Sequence, residues 1–320
     1  MPLVDMSLEQ LKKYNGMNPR PADFDAFWDA SLEEMRAMDP KVSLTPYPLS
    51  SRFADFYELR FRSTKNALIY AKLAKPKRFE GKLPAVLKFH GLSGSSDSWN
   101  DLLRYVSEGY CVAFMDCRGQ GGYSEDVGGT KGTTYSTPFA RGLDGDPKDL
   151  YYRDVFLDTA MLARVVMEME DVDETRVAVT GGSQGGGLAL ACAALVPEIK
   201  LCLPTFPYLS DYKRVWSMDL AKGAYEGLRY YFRNFDPRHE REEELFTKLG
   251  YIDVQHLAPR IRARVLMGTG LMDTTCPPST QFAAFNKITS QKDVVIYPDF
   301  GHEGLKGHSD LTHSFIVENL

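Results

Sequence analysis

Nowhere in these 320 residues do enough apolar side chains run together to cross a bilayer, which takes about 20 in an unbroken helix. Met1 to Gln10 also lack the basic start and apolar centre of a secretory signal. Both absences point to a soluble, cytoplasmic protein without a membrane partner. Clustered positive charge is missing as well: lysines and arginines are scattered, and the net charge is −5. A nucleic-acid partner therefore has no electrostatic footprint here. Cysteine is scarce, and its number is odd. Cys111, Cys117, Cys192, Cys202 and Cys276 show no metal-ligand spacing, and four lie in or beside apolar stretches, as reduced buried thiols do. Cys276 stands apart because it is close to a candidate catalytic residue. No repeat and no low-complexity tract interrupts the chain.

What is present is an alternation of strand-like and helix-like segments. Residues 22–38 carry apolar positions at helical spacing and stop before Asp39-Pro40, which predicts an amphipathic helix in an N-terminal extension over residues 1–40. Segments 53–62 and 67–73 have the pattern of paired antiparallel strands, and 83–89 and 110–115 are shorter apolar runs with a helical stretch, 99–108, between them. A helix over 151–170, a strand over 176–180, a helix over 184–195 and a strand over 200–203 follow. The rhythm breaks at 206–262, an aromatic and charged stretch expected to be a helical insertion over the sheet's carboxyl edge. It resumes with strands at 263–267 and 293–297. This order predicts one α/β domain spanning residues 1–320: a mainly parallel sheet flanked by helices, extended at one edge by the leading antiparallel strands.

Within that frame, Gly181-Gly182-Ser183-Gln184-Gly185-Gly186 directly follows the β-branched run Val177-Ala178-Val179-Thr180. A serine at a strand-to-helix corner, with glycines where a side chain would collide, is the pattern of a nucleophile elbow. The N–H of Gln184, in the first helical turn, is placed to meet a developing oxyanion. A serine hydroxyl needs a base, and the base an orienting carboxylate. Asp273 and His302 follow the strands 263–267 and 293–297 at the same sheet edge, and the order Ser, Asp, His is that of the α/β-hydrolase fold. Among the six histidines, His302 is set apart by its polar loop Gly301-His302-Glu303-Gly304; Asp299 is the rival carboxylate but sits three residues before the ring it would have to reach. A second oxyanion donor is expected from the loop His90-Gly91-Leu92-Ser93-Gly94, with Leu92 N–H as the choice.

The same glycines also fit the dinucleotide loop of short-chain dehydrogenases. That loop normally follows a first strand, no Tyr-x-x-x-Lys occurs after Gly187, and an NAD(P) site would leave Asp273 and His302 idle. A serine peptidase of the prolyl oligopeptidase type shares the elbow pattern, but the chain has no room for its propeller.

With these residues placed, the chain resembles the carbohydrate esterase family 7 enzymes, the acetyl xylan esterases and cephalosporin C deacetylases. The likeness rests on Arg118-Gly119-Gln120, Gly181-Gly182-Ser183-Gln184-Gly185 and His302-Glu303 in that order, and extends through Phe24-Asp25, Phe27-Trp28, Arg141-Gly142, Tyr151-Tyr152-Arg153 and Gly270-Leu271-Met272-Asp273 with Cys276-Pro277-Pro278. The resemblance implies a serine esterase that deacetylates small acetylated sugars such as xylo-oligosaccharides, with cephalosporin C as a further substrate, through an acetyl-enzyme and with no metal or organic cofactor. It assigns Ser183 as nucleophile, His302 as base and acid, Asp273 as its partner and Gln184 N–H to the oxyanion hole. Arg118 and Gln120 are then a structural brace, and Tyr208 and Thr275 align with pocket-lining, substrate-binding positions. Where the family has His-Gly-Tyr this chain has His90-Gly91-Leu92, so an acyl-pocket tyrosine is lost. The resemblance also implies a homohexamer, with residues 121–141 and 206–262 as contact surfaces.

Overall fold

The computed structural model describes residues 4–128 and 137–320. Among these, nine strands form one sheet: β1 (Ser43–Pro46), β2 (Ala54–Arg62), β3 (Leu68–Pro76), β4 (Leu83–Phe89), β5 (Cys111–Met115), β6 (Val172–Gly182), β7 (Leu201–Thr205), β8 (Arg264–Gly270) and β9 (Lys292–Tyr297), in the spatial order β1-β2-β3-β5-β4-β6-β7-β8-β9. The first three strands and β5 pair antiparallel, and every neighbour from β5 onward pairs parallel. The expected mainly parallel sheet with an antiparallel edge is what forms. Its consequence for function is geometric. The carboxyl ends of β4, β6, β7, β8 and β9 all open at one edge, so the loops that follow them share a single rim.

The helices are α1 (Leu8–Leu11), α2 (Phe24–Arg36), α3 (Asn100–Val106), α4 (Tyr151–Met167), α5 (Gln184–Leu195), α6 (Tyr212–Ser217), α7 (Glu226–Phe235), α8 (Glu242–Leu249), α9 (Val254–Leu257), α10 (Pro278–Lys287) and α11 (His308–Asn319). They cover both faces of the sheet. Ala85, Leu87 and Phe89 of β4 point into the larger core beneath α2, α4, α5 and α10, while Val86 points to the opposite face under α3 and α11. Strand alternation therefore sets Lys88 on the α3 and α11 side. All twelve residues of α5 are buried. Its glycines and alanines let it lie close against β4, β6 and α4, and each of its fully buried leucines contributes about 1.5–3 kcal/mol.

The N-terminal extension is anchored through Trp28, which is fully buried against Phe156 and donates Nε1–H to Tyr251 O at 3.0 Å. The insertion is helical, as its composition suggested: α6 to α9 and short 3₁₀ turns occupy 212–260. Four elements, β1, α1, α10 and α11, had no sequence counterpart. β1 is exposed at all four positions, so it carries no alternation to read. α11 closes the chain with only His308, Thr312 and Ile316 buried, too few apolar anchors to declare a face.

Candidate active site

At the end of β6 the backbone turns through Ser183, whose φ of 56° and ψ of −121° lie in the region L-residues avoid. Such strain costs about 1–3 kcal/mol and persists only where the surroundings over-determine it. Here Ser183 N–H donates to Thr205 O at 3.0 Å, and Ser183 O accepts from Gly187 N–H at 3.1 Å and Tyr208 N–H at 3.0 Å. The two glycines on either side of the corner are steric requirements. A Cβ on Gly181 would stand 2.5 Å from the carbonyl of Gly185, and one on Gly185 would stand 2.1 Å from Phe89 O. The strand and helix can therefore close on each other only with hydrogen at both positions.

The loops after β8 and β9 bring their side chains to this corner. His302 Nδ1 lies 2.8 Å from Asp273 Oδ2, and Nε2 lies 2.9 Å from Ser183 Oγ. A carboxylate only accepts, so Nδ1 carries the proton and Nε2 presents its lone pair to the hydroxyl. Asp273 is fully buried and held on its other oxygen by Thr275 N–H and Cys276 N–H, both at 2.8 Å, with Gln281 Nε2 at 3.4 Å from Oδ2. Its rival Asp299 is exposed and makes no bond to the ring. The face of His302 rests on Phe206, centroid to centroid 4.6 Å. Glu303 Oε1 accepts Gly301 N–H at 3.0 Å, fixing the loop before the histidine.

The oxyanion side is organised by a buried amide network. Gln184 Oε1 accepts from Tyr152 Oη at 2.6 Å and Gln120 Nε2 at 2.8 Å, while Gln184 Nε2 donates to Gln120 Oε1 at 3.1 Å and His90 O at 3.3 Å. Gln120 Nε2 also donates to Tyr151 Oη at 3.0 Å, and Gln120 Oε1 accepts Ser93 N–H at 2.9 Å. Two loops and the first turn of α4 are thereby locked to the elbow. His90 adds a pin: Nε2 accepts Cys117 N–H at 2.9 Å, so Nδ1–H donates to Gly91 O at 2.7 Å. Burial holds its pKa below the ordinary imidazole value, which keeps this neutral tautomer. Among the described residues, no protein acceptor takes the N–H of Leu92 or of Gln184. Both remain available as donors, and Leu92 and Ser183 line the same cleft of about 670 Å³.

Arg118 sits apart from the reacting groups. It is buried, and its fork grips Asp158 through Nε to Oδ2 at 2.7 Å and Nη2 to Oδ1 at 2.5 Å, with Thr64 Oγ1 at 3.1 Å. It braces the loop after β5 to α4. Gln120 touches Gln184 directly and so supports the oxyanion side itself. Tyr208 is buried with its hydroxyl committed to Ala224 O at 2.5 Å, and Thr275 meets the site through the N–H that holds Asp273. Neither is among the residues lining the cleft. Sequence reasoning gave Phe206 no role and named Tyr152 and His90 only within motifs; what their side chains do is set by contacts across long chain separations. Cys276 is buried beside Ser183 and Asp273, and burial first and the carboxylate second push its thiol well above the ordinary value. Asp273, Cys276 and His302 are the one group of three metal-type ligands within 4.8 Å of one another among the described residues. Two of the three are already spent on the Asp–His bond.

Comparisons with known proteins span nearly the whole chain. Residues 1–319 match the family described as Acetyl xylan esterase (AXE1). Acetyl xylan esterase 1 from Thermoanaerobacterium sp. JW/SL YS485 is 55% identical, with 98% of this chain and 99% of that one covered at a TM-score of 0.97. The acetyl xylan esterase from Paenibacillus sp. R4 is 37% identical, covering 98% and 100% of the two chains at a TM-score of 0.93. Acetyl esterase Axe7A of Xylanibacter ruminicola is 31% identical over 302 residues, 92% of this chain; the chain spans 66% of that relative's length. A strained elbow serine bonded to a loop histidine, on this sheet and over this whole length, places the chain in the acetyl xylan esterase (AXE1) family, a family of carboxylic ester hydrolases with the α/β-hydrolase fold.

Proposed function

We propose that the protein is a serine esterase that removes acetyl groups from small acetylated sugars such as xylo-oligosaccharides, through an acetyl-enzyme on Ser183. The observation that carries this reading is the continuous line from Ser183 Oγ to His302 to Asp273, at 2.9 and 2.8 Å. Ser183 Oγ attacks the acetyl carbonyl as its proton passes to His302 Nε2, and Asp273 stabilises the imidazolium that results. The oxyanion is met by Gln184 N–H and Leu92 N–H, donors fixed before the reaction begins and therefore costing no reorganisation. His302 then returns the proton to the leaving sugar oxygen. Water enters, gives a proton to the same nitrogen and attacks the acetyl carbon; as the acyl bond breaks, His302 returns that proton to Ser183 Oγ, and acetate leaves. These steps require no metal or organic cofactor.

Cephalosporin C, a homohexameric assembly and a cytoplasmic setting belong to the same proposal. The five free, buried cysteines suit a reducing compartment. Of the proposed contact surface 121–141, residues 129–136 lie outside the described residues. The test is turnover of acetyl, propionyl and butyryl esters, acetylated xylobiose included, by the protein and by Ser183→Ala. Acetyl esters are expected to be cleaved fastest, with the variant slowed by about 10⁴ or more. Unchanged turnover in Ser183→Ala would remove the serine-esterase reading.

A further inference from the structure

The cleft at Ser183 extends away from the triad, between α3 and α11, across the sheet face opposite α5. Its walls carry an unusual charge. Lys88 enters from β4 and Arg104 from α3, and among the described residues neither has a carboxylate within ion-pair distance. Lys88 rests on the ring of Phe114 at 4.5 Å, and its only polar contact among the described residues is a long one, 3.4 Å, to Asp101 O. Arg104 lies over Tyr105 and donates to that residue's hydroxyl at 3.3 Å. Burial first and the neighbouring Arg104 cation second push the Lys88 amine down to about 8, against the partial support of Asp101 and Asp97. On the far wall His308 is 4% exposed, its ring nitrogens buried beside Gly268 and without a hydrogen-bond partner among the described residues, and Ser309 and Thr312 follow it on α11, the Thr312 hydroxyl donating to Ser309 O at 3.0 Å.

We infer that this cleft receives the alcohol half of the ester, and that Lys88 and Arg104 hold a carboxylate carried on it, so that acetylated acidic sugars are the preferred substrates. The inference rests on the esterase reading above. Two cations face one lining carboxylate, Asp97, with the Asp101 carboxylate also acting on Lys88 from outside the lining, and so weak a positive field suits a monoanion better than a dianionic phosphate. Arg104 offers a planar fork that matches a carboxylate, Lys88 a compact charge half-sheltered from water, where screening is weak. A bound carboxylate also gives the Lys88 amine the partner that its burial now denies it. The exposed hydroxyl of Ser309 on α11 supplies a polar group for the neutral part of the same sugar.

The experiment compares an acetylated methyl uronoside with its methyl ester, in which a methyl cap removes the charge, and follows release of acetate so that cleavage of the cap is not counted. Initial rates give kcat/KM for each with the full chain, Lys88→Met, Arg104→Met, the double variant and Lys88→Arg. The acid is expected to be preferred by roughly 10-fold or more, the worth of a hydrogen bond to a charged group. That preference is expected to reside in KM, to shrink with added salt, to survive in Lys88→Arg and to vanish in the double variant. Arg104 is exposed on α3, so its variant folds even where Lys88→Met is compromised. Equal rates on the two esters, a faster neutral ester, or a preference that persists in the double variant would each overturn the assignment while leaving the esterase reading intact. No turnover of either ester would overturn both.

Discussion

Replacing Asp273 by Asn tests the hydrogen-bond direction on which the chemistry depends. The two side chains have the same shape, so the buried site keeps its volume, and the question is which end of the amide faces the histidine. Thr275 N–H and Cys276 N–H both point at Oδ1 from 2.8 Å. Two donors fix the amide oxygen there, which turns the NH₂ toward His302. Nδ1 must then accept, the ring proton moves to Nε2, and Nε2 faces Ser183 Oγ at 2.9 Å with no lone pair to offer. The base is lost without loss of the fold. Wrong-tautomer variants of such triads fall by about 10⁴ in kcat, equivalent to roughly 5 kcal/mol of barrier at about 1.4 kcal/mol per tenfold. The assay is kcat on p-nitrophenyl acetate beside a thermal melt, with exposed Asp299→Asn as the control. A loss of less than about tenfold in a folded Asp273→Asn protein would refute the tautomer argument.

Gly185→Ala would place a Cβ 2.1 Å from Phe89 O; a loss of about 1–3 kcal/mol in urea unfolding, together with a drop in kcat as Ser183 shifts, is expected, and a neutral result would contradict the stated clearance. Arg118→Met strands the fully buried Asp158, so the unfolding free energy should fall by about 3–5 kcal/mol; a change below about 1 kcal/mol would mean that the brace carries no weight. Asp253 is buried beside Asp211, and burial first and that neighbour second push its carboxyl up to about 7. Because the folded value lies above the unfolded one, the folded state holds the extra proton: the stabilisation is full below about pH 4 and is lost as pH rises through about 7. Asp253→Asn should flatten that part of the stability profile, and an unaltered slope between those limits would count against it.

Much of this site was legible because its requirements are local. The glycines around Ser183 are demanded by contacts within a few residues of the corner, and β4 and α5 begin and end where their apolar runs do. Asp273 and His302 could be placed because each follows a strand by a short loop, and parallel strands deliver such loops to one rim. Other features are made by packing alone. β1 has no apolar face and exists through its ladder with β2. Phe206 under His302, and Gln120 paired with Gln184 across 64 positions, are single residues whose partners only the closed fold supplies. Tyr208 was expected at the substrate; its hydroxyl is instead occupied by a backbone carbonyl.

The most direct measurement is the mass of the protein quenched during turnover of an acetyl ester, followed by mapping of the modified peptide. An acetyl group on Ser183 that appears before acetate accumulates, and is absent from Ser183→Ala, is the expected result, given the 2.9 Å contact between its hydroxyl and His302. Steady turnover with Ser183 never acylated, or with the acyl group on another residue, would contradict it.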